Sequence, residues 1–224
     1  MNIYLKSLLT ASILASSLSG EMVQTYFDKG QLKAKTNYID GTNTDIKVGI
    51  KDGLEEIYYQ MGKLAYSVNY IENKRDGMLT WYDKKGNKLS ETFYVKGKLE
   101  GQENSYYASG KLKYSATYKN DKKEGIQKEY FSDGSPAMKV SYVNNKKEGL
   151  QREYYQNGKV YSEVFYKNNY KEGTQKWFDK NGKVEKSLFY KNDRPVDLMK
   201  KVQTKQRETT IIVDSIDFSR QKAK

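Results

Sequence analysis

Apolar and polar positions alternate with a period of two over short runs along most of the chain. In KVYSEVFY (159–166), Val160, Val164 and Tyr166 fall on one face, and Tyr161, Glu163 and Phe165 on the other. GLQREYY (149–155) reads as a second short strand. The tetrapeptide Gln156-Asn157-Gly158-Lys159 between them reads as a tight turn, with Gly supplying the positive φ that branched side chains resist. A polar run such as KNNYKEG (167–173) then leads into the next hairpin, and stripes of helical period are absent from these segments. Pro195 stands where the pattern stops, as a strand terminator would.

The pattern repeats every 24 residues. Gly recurs at 53, 77, 101, 125, 149 and 173, each preceded by an acid: Asp52, Asp76, Glu100, Glu124, Glu148 and Glu172. Five residues after each Gly stands an aromatic (Tyr58, Tyr82, Tyr106, Tyr130, Tyr154, Phe178), nine after it a second Gly, and seventeen after it a Tyr. A degenerate unit lies upstream, where Tyr26, Gly30 and Tyr38 keep the spacing and an eight-residue surplus follows within 39–52. A fixed period of this length marks a stacked-repeat architecture. The chain therefore divides into a leader (1–20), a degenerate first repeat with an insertion (21–52), six 24-residue repeats (53–195) and a tail (196–224). The expected fold is all-β: an elongated single-layer antiparallel meander of about seven hairpins.

Composition narrows the chemistry. With no His and no Cys among 224 residues, catalysis by Ser-His-Asp or Cys-His sets, disulfides and N/S-ligated zinc are excluded. The hydrophobic share is 37% and includes 21 Tyr, too little for a thick two-layer core. Forty Lys+Arg against 28 Asp+Glu give a net charge of +12, which attracts acidic partners. The leader MNIYLKSLLTASILASSLSG has one cation, a short apolar stretch and small residues at Ser17 and Ser19. It reads as a signal peptide cut near Ser19 or Gly20, placing the protein in the periplasm, at the cell surface or outside the cell.

Stretches such as EGLQREYYQNGKVYSEVFYKNNYKEG (148–173) and EGIQKEYFSDG (124–134) resemble the variant class of membrane occupation and recognition nexus (MORN) repeats. The resemblance covers about 21–195 and implies an elongated sheet of hairpins that serves as a binding scaffold. Bacterial proteins with such repeats are described as antitoxin-like members of toxin-antitoxin systems, so it also implies an antitoxin-like role. This chain differs from an intracellular antitoxin in its export signal. Related repeats accompany a plant lipid kinase, which by name transfer would suggest phosphoinositide phosphorylation. No G-x-x-x-x-G-K-[ST] or G-x-G-x-x-G is present, and 224 − 195 = 29 residues beyond the repeats leave no room for a kinase domain.

The repeated positions have structural readings. Tyr70, Tyr94, Tyr118, Tyr142 and Tyr166 are expected to cover the next unit's glycine, so that Tyr70 lies over Gly77 and Tyr94 over Gly101, with Gly125, Gly149 and Gly173 following suit. The acids before each Gly read as turn residues, and no catalytic, cofactor or metal site is assigned. Asx-rich turns at Asp83, Asp133 and Asp179 lack the EF-hand spacing for calcium. Lysines such as Lys122-Lys123, Lys146-Lys147, Lys167 and Lys171 are expected to form a basic stripe, which either keeps sheet edges soluble or attracts anionic lipid, glycan or protein. Export argues against nucleic acid. The candidates for partner contact are Tyr59, Trp81, Tyr107, Phe131, Tyr155 and Trp177, on the face away from the position-five aromatics, which is either an exposed recognition row or covered by curvature or the tail. In the tail, TTIIVDSIDF (209–218) reads as a strand that caps the last hairpin or docks on a partner. The function expected is an exported, non-enzymatic scaffold for a protein or envelope component, with a cell-wall or surface glycan-binding module as the alternative.

Overall fold

The computed structural model of the chain describes residues 21–39 and 49–196. The leader, residues 40–48 of the surplus and the tail beyond Val196 lie outside the described residues. Within them the chain forms one open antiparallel meander from Glu21–Tyr26 to Arg194–Val196, in which the short strands Lys74–Arg75, Lys122–Lys123 and Lys146–Lys147 and the longer strand after each pair with the same preceding strand. No helix occurs among the described residues.

Two turns build each repeat. At the first, Tyr155 N–H donates to Lys159 C=O at 2.8 Å and Gly158 N–H donates to Tyr155 C=O at 2.9 Å. Gly158 sits at φ 82°, a left-handed residue closing a short hairpin loop. One extra residue beside this loop shifts the register between Glu153 and Tyr154, and the same shift recurs at Ile57/Tyr58, Trp81/Tyr82, Ser105/Tyr106, Glu129/Tyr130 and Trp177/Phe178. The second turn has only two central residues. Asn144 and Asn145 both have positive φ (50° and 67°), the type I′ geometry whose twist matches that of the strands.

That two-residue turn corrects the expected register. Tyr70, Tyr94, Tyr118, Tyr142 and Tyr166 lie opposite the glycines of their own units, Gly53, Gly77, Gly101, Gly125 and Gly149, and Gly173 faces Tyr190. A longer second turn would have carried each Tyr to the following Gly. A type I′ turn instead brings Tyr70 opposite Arg75 and Tyr142 opposite Lys147.

The acid before each Gly secures the turn that closes its unit. Carboxylates of Asp52, Asp76, Glu100, Glu124, Glu148 and Glu172 accept the N–H of Glu72, Lys96, Asn120, Asn144, Asn168 and Asn192, at 2.9–3.2 Å. The next turn residue ties back as well: Asn145 N–H donates to Lys123 C=O, and Lys123 N–H donates to Asn145 Oδ1 at 2.6 Å. Gly97, lacking a side chain, keeps only the backbone bond to Arg75 C=O.

One face of the sheet is the more buried. Along it, Val68, Ala116, Val140 and Val164 are 0–2% exposed, each opposite a residue two after a repeat Gly: Glu55, Glu103, Gln127 and Gln151. Tyrosines and lysines two and four residues along the strands shelter these small side chains, so a single layer still has dry positions. The degenerate first unit keeps the hairpin, with Glu21 in the glycine's place opposite Tyr38. Pro195, expected to terminate the last strand, lies inside Arg194–Val196 opposite Tyr190; the segment is an outer strand, where a missing N–H breaks no ladder.

Candidate functional site

Five of the six repeats carry a cation two residues before the Gly, and it lies on the ring of the Tyr that pairs with that Gly. Lys51, Arg75, Lys123, Lys147 and Lys171 lie 4.8–5.4 Å from the centroids of Tyr70, Tyr94, Tyr142, Tyr166 and Tyr190. In the last three units the ammonium also donates to the buried Gln two after the Gly: Lys123 to Gln127, Lys147 to Gln151 and Lys171 to Gln175, at 2.8–2.9 Å. In the first it donates to buried Glu55 at 2.5 Å, which also accepts from Tyr66 Oη at 3.1 Å. Burial pushes the Lys147 ammonium pKa down. These lysines are thus drawn into the face; of those expected in a free basic stripe, Lys122, Lys146 and Lys167 are exposed. The cation at this position was readable from the sequence; the ring it covers follows from the pairing of each Gly with the Tyr of its own unit.

Tyrosine hydroxyls are held protonated on both faces. Burial, reinforced by Glu55, pushes the Tyr66 phenol up to about 12; burial with a bond to Glu56 or Glu91 does the same for Tyr58 and Tyr106. Tyr118 is pushed further up by burial and its bonds to Glu103 and Tyr114.

Three of the candidate contact residues stitch units together. Tyr59, Tyr107 and Tyr155 donate their hydroxyls to the C=O of Tyr82, Tyr130 and Phe178 in the following unit, at 2.6–2.8 Å. Trp81 is 39% exposed and tilts against Tyr66, whereas Trp177 is half-buried beneath Lys186. Two of the six converge on a hollow. Tyr107 and Phe131 line the same cleft of about 480 Å³, with Ser105, Tyr114, Glu129 and Ala137. Tyr59, Trp81, Tyr155 and Trp177 do not line it.

The Asx turns hold loops. Asp83 and Asp179 accept N–H bonds from Lys85 and Asn87 and from Asn181 and Lys183, and Ser135, donating from both hydroxyl and backbone, pulls the Asp133 carboxyl down to about 2. Among the described residues no group of three or more acids is placed to hold a metal ion, and no helix is long and apolar enough to cross a membrane.

The opposite face was missed by the candidate list. It presents Leu54, Met78, Ile126 and Leu150, each one residue after a repeat Gly and 40–46% exposed, with Phe93 and Phe165 directly across from Met78 and Leu150. Exposed Lys74, Lys98, Lys122 and Lys146 border this row beside the type I′ turns. The signal was present as an apolar residue recurring one after Gly in four of six repeats.

A family model described as MORN repeat variant matches residues 22–40, 51–72, 99–120, 123–144, 147–168 and 171–192. The chain belongs to the MORN repeat variant family. The unit between the second and third matches, with Lys96-Gly97 at its type I′ turn, forms the same hairpin, Gly77 opposite Tyr94. MORN repeats are in general protein- or membrane-binding scaffolds. No curated protein sequence matches the chain. Among solved structures the chain is similar to TarM of S. aureus, 14% identical over 54% of this chain with a TM-score of 0.25, and it spans 19% of that protein's length. It is also similar to a porin-like protein from Bacteroides uniformis, 12% identical over 83% of this chain and 91% of the other, with a TM-score of 0.21. Likenesses this weak decide nothing about function.

Proposed function

We propose that this protein is an exported, non-enzymatic scaffold that holds a protein or envelope component against its sheet. The observation that carries the reading is the open face, where Leu54, Met78, Ile126 and Leu150 stand in water in register from repeat to repeat. A row of large apolar groups bordered by lysines suits a partner with an apolar surface and acidic margins. The acids before each Gly are engaged in turns, and Tyr59, Tyr107 and Tyr155 in ties between units. An antitoxin-like role, carried by the family resemblance, is one form of such recognition, in which the partner is a toxic protein.

The test is affinity capture from periplasmic and envelope fractions with the mature chain and with an Ile126→Gln/Leu150→Gln variant. Gln102 already occupies the equivalent place, so the variant is expected to fold. Stoichiometric retention by the parent and loss in the variant supports the reading. Equal retention by both, or no retained component, removes it. The intact leader on cytoplasmic material would remove export.

A further inference from the structure

The repeats supply an internal comparison that explains the cleft. Tyr66 and Tyr114 occupy the same place, thirteen residues after Gly53 and Gly101. Across the strand to the next unit, Tyr66 faces Trp81, and the two rings lie 4.6 Å apart, centroid to centroid, at 45°. At the same pairing Tyr114 faces Glu129. Within its own hairpin Tyr66 faces Ile57, whereas Tyr114 faces Ser105. Small or polar residues thus replace both bulky neighbours of Tyr114, and the space between Tyr107, Tyr114 and Phe131 is open to a volume of about 480 Å³. The chain fills the equivalent position one repeat pair earlier with an indole.

We propose that this cleft receives an aromatic side chain, by shape a tryptophan, presented by a partner protein. The inference rests on the scaffold reading above and names the chemistry of the partner's anchor. A flat aromatic ring matches the three aromatic walls and the packing already seen for Trp81 on Tyr66. Hydroxyl-rich ligands fit less well, because the Tyr107 hydroxyl and one oxygen of Glu129 are already engaged. Tyr107 Oη donates to Tyr130 C=O at 2.6 Å, Glu129 Oε1 accepts from Gln127 Nε2 at 3.0 Å, and Lys113 lies over the Tyr107 ring. The second oxygen of Glu129 favours a basic residue beside the partner's aromatic.

The experiment titrates the full chain, with labelled Tyr and Phe side chains, with N-acetyltryptophanamide and separately with N-acetylglucosamine. The indole probe is expected to shift Tyr107, Tyr114 and Phe131 resonances saturably, and the sugar is expected not to. Glu129→Trp fills the cleft from within and should weaken the probe about tenfold or more while leaving the fold intact. Ala137→Leu obstructs it from the floor and serves if the first variant folds poorly. No saturable shift with the indole probe, undiminished binding in the filled variants, or saturation by the sugar at these three residues overturns the proposal. If envelope capture persists while the indole probe fails, the anchor falls and the scaffold stands. If the probe binds but capture fails, the cleft's affinity for an aromatic ring stands, and the scaffold reading falls together with the partner that would present the ring.

Discussion

Replacing Asn145 tests the type I′ turn on which the register depends. Its backbone is left-handed, at φ 67°, and its Oδ1 accepts the Lys123 N–H at 2.6 Å. Alanine loses both advantages. The left-handed conformation costs a residue with a Cβ about 1–2 kcal/mol, and the lost hydrogen bond about 0.5–1.5 kcal/mol. Asn145→Ala should therefore destabilise by about 2–3 kcal/mol. Asn145→Gly recovers the backbone term and loses the bond, so about 1 kcal/mol is expected. Asn145→Asp keeps the acceptor, as Asp121 and Asp193 do at the same place, and should be near neutral. Gly97 shows that the turn closes without the side chain. Urea denaturation followed by circular dichroism gives the three values, and in a chain of this size each kcal/mol corresponds to about 2–4 °C in melting temperature. An Ala variant as stable as the Asp variant, or a Gly variant worse than Ala, would refute the reasoning.

Val140 is fully buried, so Val140→Ala should cost about 2 kcal/mol through two lost methyl groups and the space they leave, read from the same denaturation curves. The phenols of Tyr58, Tyr66 and Tyr106, raised to about 12 from 10, keep their protons in the folded state at pH values where the unfolded chain releases them. Their contribution to stability is complete below pH 10 and is lost as pH rises from 10 towards 12. Melting temperature should fall across that window, less steeply in Tyr66→Phe, and tyrosinate absorbance near 295 nm should lag behind that of the denatured chain. Deleting residues 125–148, one whole period, should leave a cooperatively melting β protein, whereas deleting 125–144 should not. Far-ultraviolet circular dichroism and melting curves distinguish the two.

The period, the hairpins and the approximate position of both turns were legible because each unit repeats the same residues at the same spacing. The turn type was also written in the chain, as Asn144-Asn145, Asn168-Asn169 and Asn192-Asp193, yet reading these as parts of a longer polar run displaced the tyrosine-glycine pairing by one unit. Lys147, expected in an edge stripe, lies on Tyr166, the ring opposite its own unit's Gly149. The shared face of Tyr107 and Phe131 followed from alternation, because both stand six after a repeat Gly. That they border a hollow depends on Ser105 and Glu129, which stand where Ile57 and Trp81 stand two repeats earlier, and single-unit patterns carry no such comparison. The hydroxyl bonds of Tyr59, Tyr107 and Tyr155 to the next unit were not legible, since their acceptors are backbone carbonyls that every residue has.

The ties between turns and strands have a consequence for biogenesis. Asn145 reaches back 22 residues to Lys123, Glu148 forward 20 to Asn168, and Tyr155 forward 23 to Phe178. None waits for a distant part of the polypeptide. A chain emerging amino end first can therefore complete each module as soon as roughly one more repeat is available, so folding can advance in step with synthesis.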